Sequence, residues 1–106
     1  METINKSRQS HEYTQDDIDE LLEIWRANIS DPPPPSGQFV TWLRTYGKRI
    51  ASNAVNACVR KYRYMHSQQT PMEYDHALRY TSSCARNAKI AADTFHAPAE
   101  WLRNSE

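Results

Sequence analysis

The chain has two glycines and two cysteines in 106 residues, no net charge, and no apolar run long enough to cross a bilayer. Each shortage excludes something. Sheets joined by tight turns draw on glycine and Asn-Gly pairs, so an all-β architecture is disfavoured and helix becomes the default. Cys58 and Cys84 stand 26 residues apart, in neither a CxxC pair nor a cysteine–histidine array, which fits a reducing cytoplasm better than a disulfide framework or a zinc site. The opening METINKSRQSHE has no apolar core of a signal peptide, so a cytoplasmic protein without a membrane partner is expected. Also missing are a glycine-rich phosphate loop, a GxSxG elbow and any zinc-ligand spacing. A non-enzymatic chain with no cofactor and no small-molecule substrate follows as the expectation.

What is present reads as one all-α domain. A hydrophobic content of 39% in a chain of this length supports one core and not two. Residues 1–13 are polar and aperiodic, a flexible N-terminal arm; residues 14–103 form a single helical domain. In TQDDIDELLEIWRAN, Thr14 caps, acids fill the first turns, and Ile18, Leu21, Leu22 and Trp25 recur at helical spacing. Four prolines, Pro32 to Pro35, then forbid a helix and bridge to the next one. Ser36 offers a capping oxygen to a second helix whose Phe39, Trp42, Leu43 and Tyr46 lie on one face. Gly47 either ends that helix or bends a longer one, because the series Tyr46, Ile50, Ala54, Cys58, Tyr62 continues past it to about His66. Thr70, Pro71 and Glu73 give the pattern of a capping box for a further helix rich in small residues. Beyond Asp93 the pattern lapses, leaving a short helical turn around Trp101 and Leu102. The expected fold is a small bundle of about four helices plus that C-terminal turn. Its core would hold Ile18, Leu21, Leu22, Trp25, Phe39, Trp42, Leu43, Tyr46, Ile50, Val55, Cys58, Val59, Tyr62, Leu78 and Cys84.

The zero net charge hides an asymmetry. Residues 1–35 hold eight acids against three bases, whereas residues 36–92 hold nine bases against two acids. Within the basic part, Arg60-Lys61-Tyr62-Arg63-Tyr64 interleaves cations with rings, and Arg79 and Tyr80 follow on the last helix. Phosphate oxygens call for cations and unpaired bases call for flat faces, so Arg60, Lys61, Arg63, Tyr64, Arg79 and Tyr80 are candidate nucleic-acid contacts. The competing reading makes these a solvated face balanced by the acidic first helix. A second class of function is a protein-interaction module, an adaptor or inhibitor, that meets a protein partner or a second copy of itself. It would use Asp16, Asp19, Glu20 and Glu23 or the Trp101–Leu102 tail. Glu73 and His76 have the i, i+3 spacing of bundle metal sites, but those sites need the motif twice and it occurs once, so no metal is expected.

The order WLRTYG, AVNACVRK, ALRYTSSCARN resembles the C-terminal helical domain of DnaD-like replication-initiation proteins. In that family a Tyr-Gly precedes a helix, and a later aromatic helix contributes to DNA binding. Tyr80 matches the family's tyrosine; Cys84 and Ala88 stand where it carries an aliphatic residue and a tryptophan. The resemblance implies a small bacterial or mobile-element protein associated with DNA, and it carries over Tyr80 alone.

Overall fold

The computed structural model describes residues 11–105, with side chains placed for residues 11–94. Four helices make up the described residues: α1 Gln15–Asn28, α2 Ser36–Tyr46, α3 Lys48–Ser67 and α4 Tyr74–Ser105, with no strand among them. The all-α bundle expected from the glycine shortage and the apolar periodicities is what the chain forms.

Capping chemistry starts α1 as the sequence predicts. The Thr14 hydroxyl accepts from the Asp17 N–H at 3.1 Å, and the Thr14 N–H donates back to the Asp17 carboxylate at 2.9 Å. This reciprocal pair satisfies two donors that a helix start leaves open. At the other end, the Ile29 and Ser30 N–H groups both donate to the Trp25 carbonyl, and the Trp25 indole N–H donates to Ser30 Oγ at 2.8 Å. The Ser30 hydroxyl in turn donates to the Pro32 carbonyl at 3.1 Å, which ties the end of α1 to the proline bridge. Pro34 in that bridge is fully buried.

The start of α2 departs from expectation. Ser36 is its first residue and makes no capping bond; the cap position is Pro35, already at φ −56° and ψ 149°. The fixed φ of proline suits it to this edge, and the Pro35 carbonyl takes the Gln38 N–H at 2.9 Å. Of the two readings at Gly47, separate helices hold. Gly47 has φ 90° and ψ 160°, donates to the Leu43 carbonyl and accepts from the Ala51 N–H, both at 2.9 Å. One residue therefore closes α2 and opens α3.

The expected seam Tyr46, Ile50, Ala54, Cys58, Tyr62 is buried at Ala54 and Cys58, and Ala51, Val55 and Val59 are buried beside them. Tyr46 and Tyr62 are half-buried at the margin of the core, and Ile50 is half-buried too. The α3 terminus is a Schellman turn: Gln69 has φ 63°, its N–H donates to His66, and the Thr70 N–H donates to Met65. Thr70 is thus used up behind α3, with its hydroxyl on the Met65 carbonyl at 3.3 Å, and it does not cap α4. The following helix begins at Tyr74, where the Ala77 N–H reaches the Glu73 carbonyl.

Three rings form the centre. Trp25, Phe39 and Trp42 lie 5.7–6.0 Å apart between centroids, two of the pairs edge to face, and all three are at most 2% exposed. Around them α2 and α3 each pack on all three other helices, while α1 and α4 are joined through them. The small side chains Ala77, Thr81 and Ala85 are wholly buried on α4 and allow α3 to approach closely. The Thr81 hydroxyl satisfies itself on the Ala77 carbonyl at 2.8 Å. Leu22, Leu78 and Cys84, expected in the core, are only half-buried. Met72, not expected there, is 6% exposed. The expected terminal turn is the last stretch of α4 and not a separate element; the side chains of Trp101 and Leu102 lie outside the described residues.

At the other end, residues 1–10 lie outside the described residues. His11, placed in the arm by the sequence, donates its backbone N–H to the Arg44 carbonyl at 2.9 Å, and Tyr13 packs on the core.

Candidate nucleic-acid interface

The exposed stripe of α3 follows from its buried one. With Ala51, Val55 and Cys58 facing inward, the 3.6-residue period turns Arg49, Asn53, Asn56, Arg60, Arg63 and Tyr64 outward, and all six are exposed. No acid stands on α3 itself: from Pro32 to Met72 the chain has 41 residues, six of them arginine or lysine and none acidic.

A groove runs between α1 and α3. Its first section is a cleft of about 430 Å³ lined by Ile24, Asn28, Asn53, Asn56, Val59, Arg60 and Arg63. A second cleft of about 210 Å³ continues from it, lined by Asn28, Tyr62, Arg63, His66 and Ser67, so the two sections share Asn28 and Arg63. Where they meet, Arg63 Nη2 donates to Asn28 Oδ1 at 2.6 Å, and Asn28 Nδ2 donates to the Ile24 carbonyl at 2.9 Å. Asn28 is therefore spent on holding Arg63 in place. Asn53 and Asn56 have no hydrogen-bond partner among the described residues, and each offers a donor and an acceptor to the groove. In the second section the Tyr62 and His66 rings are parallel, 6.3 Å between centroids and 8° between planes. Among the described residues no carboxylate lines either section.

The sequence-predicted contacts divide. Arg60 and Arg63 come together in the groove. Lys61 does not line the groove; its ammonium is 5.8 Å from the Tyr64 ring centre, and Tyr64 is 58% exposed. Arg79 belongs to a different surface, a shallow cleft of about 300 Å³ on α4 with Leu78, Ser82, Ser83 and Arg86. Tyr80 is half-buried, packed on the core with its ring edge-on to His76 at 6.5 Å. Burial raises its phenol pKa, with Cys84 adding to the rise, while the nearby Arg60 charge acts the other way. Tyr80 thus lies within electrostatic reach of Arg60 but is half-buried against the core.

The acidic residues of α1 are largely engaged locally. Glu23 pairs with Arg26 at 2.6 Å, Glu20 lies 3.6 Å from Lys48, and Asp19 accepts from Gln15 at 3.0 Å. Asp16 is exposed in the first turn. Lys48 also meets Asp17 at 3.1 Å, so the first residue of α3 is fastened to the acidic face of α1.

The two cysteines form no disulfide with each other. Both are free, and Cys58 is fully buried with its thiol 3.6 Å from the Ala77 carbonyl, where burial pushes its pKa up and keeps it protonated. Among the described residues no three histidine, cysteine or acidic side chains gather as metal ligands, and no helix is long and apolar enough to cross a membrane.

Asn28, Asn53, Asn56 and His66 were not singled out from the sequence. The usable signal was the acid-free stretch combined with the phase of the α3 stripe. Asn28 had none, because only the packing of α1 on α3 brings it to Arg63. Comparison with protein-family models, curated proteins and solved structures gives no match to this chain, so geometry and chemistry alone carry the functional reading.

Proposed function

We propose that this chain is a small nucleic-acid-binding module that holds the phosphate backbone on the exposed face of α3. The observation that carries this reading is the groove bearing Arg60 and Arg63 with no carboxylate among the described residues of its walls. A basic surface raises the local concentration of a polyanion and exchanges its counterions for fixed cations. Lys61 and Tyr64 extend the same helix face, and a cation seated over an exposed ring is suited to phosphate and base together. Arg79 and Tyr80 contribute at most from a second surface, since α4 carries them away from the groove opening. The alternative, a protein-docking surface on α1, has less in its favour because Glu20 and Glu23 already face cations of this chain.

The test is binding of labelled oligonucleotides followed by fluorescence anisotropy across a salt series. Wild type should bind at low ionic strength and weaken steeply as salt rises. Replacing Arg60, Lys61 and Arg63 with alanine should lower the slope of log K against log salt by about 2 in magnitude, since each phosphate contact on a single strand contributes roughly 0.7. Arg60 and Arg63 are exposed and Lys61 is half-buried, none of them in the core, so helicity by circular dichroism should be unchanged. Undiminished binding by that variant would move the surface elsewhere.

A further inference from the structure

The shape of the groove narrows the ligand. We infer that the α1–α3 groove takes a single strand and admits one unpaired base, whose edge is read by the carboxamides of Asn53 and Asn56; this rests on the nucleic-acid reading above.

Three features lead to that occupant. A concave cleft of about 430 Å³ has room for a base with its sugar, whereas a duplex presents its phosphates on a broad convex surface and keeps its base edges inside two grooves. Asn53 and Asn56 project from consecutive turns with no partner among the described residues, and a carboxamide matches the paired donor and acceptor of a base edge. Cations alone would serve any polyanion; two carboxamides beside them, without a partner among the described residues, serve a ligand with hydrogen-bonding edges. The third feature is the adjoining section, where the parallel rings of Tyr62 and His66 make a flat aromatic wall for the neighbouring base. Arg63 stands at the junction, fixed by Asn28, where the phosphate between two such bases would pass. The lining from Asn53 to Ser67 covers about 21 Å of helix, at 1.5 Å per residue, which is the reach of a few nucleotides. Strand polarity and the choice between ribose and deoxyribose are outside what these side chains specify, so DNA and RNA strands are both arms of the test.

The experiment uses the full chain and anisotropy with short labelled homopolymers, each base as a DNA strand and as an RNA strand, beside a blunt DNA duplex of equal length. Expected are strands bound about tenfold or more tighter than the duplex and a preference of about tenfold for one base over the poorest. The variant N53A/N56A should flatten that preference to within about twofold while leaving the salt slope of wild type, because the phosphate contacts remain. Both positions are exposed, so the variant should keep the wild-type melting curve. Duplex binding as tight as strand binding would overturn the single-strand assignment. Equal affinity for all bases, or a preference that survives in N53A/N56A, would overturn the base-reading role. In each of these cases the loss of binding in the Arg60, Lys61 and Arg63 triple variant would still stand. Failure of every nucleic acid to bind would instead remove the underlying function, and the groove assignment with it.

Discussion

Gly47 sits at φ 90° and ψ 160°, a region of backbone space that is essentially reserved for glycine. A β-carbon there would also come within 3.1 Å of the His11 ring, whose own backbone is bonded to Arg44. Gly47→Ala should therefore destabilise the fold by about 1–3 kcal/mol, read as a lower urea midpoint with unchanged slope. An equal midpoint would mean that the α2–α3 junction relaxes without cost. Sequence reasoning placed a break or a bend at Gly47 but could not choose, since both leave a glycine after Tyr46. The dihedral angles decide it, because they fit neither a helix interior nor the usual left-handed stop. At the same scale, Arg60 and Arg63 were legible as binding candidates from charge and spacing. Asn28 was not, since its role depends on a residue 35 positions away.

At the scale of the element, α1 shows how far local chemistry reaches. Its cap, its acidic first turn and its apolar stripe can all be read in fourteen residues, and Ile18, Leu21 and Trp25 are buried as that stripe requires. The Asp17 carboxyl has its pKa lowered below the ordinary 3.8, first by the Thr14 backbone N–H and then by Lys48. A lowered folded pKa means that the contribution is complete above the ordinary value and is lost as pH falls through the folded one. Asp17→Asn should thus melt below wild type at neutral pH, and the gap between the two should close as the pH drops below about 3.8. A gap independent of pH would show that the cap acts through its hydrogen bonds alone. Lys48, raised by the same pair, keeps its charge until above its ordinary 10.5, so the base side of the link is not tested in this range. The start of α4 was less legible. Thr70, Pro71 and Glu73 match a capping box, but the Schellman turn that ends α3 claims the Thr70 N–H and hydroxyl first.

For the whole molecule, the decisive unit is the cluster of Trp25, Phe39 and Trp42, which draws on α1 and α2 and is tied to α4 by the Trp42 indole N–H on Ser82 at 3.0 Å. Trp42→Ala removes the largest side chain of α2 and that link together. It should cost about 3–5 kcal/mol, most of the stability of a domain this small, and chemical denaturation measures it. A variant that unfolds at the wild-type midpoint would contradict this arrangement of the core. The amino-acid sequence by itself determined the all-α class, the helices around Trp25 and Trp42, the proline bridge and the basic character of α3. Those properties depend on residues within a few turns of one another, through periodicity, capping and the missing donor of proline. The tertiary structure decided the marginal place of Ile50 and Tyr62 on α3, that of Tyr80 on α4, and the groove in which Asn53, Asn56, Arg60 and Arg63 meet Asn28. These follow from how α1 and α4 pack on either flank of α3, and such contacts join residues far apart in the chain that no local pattern encodes.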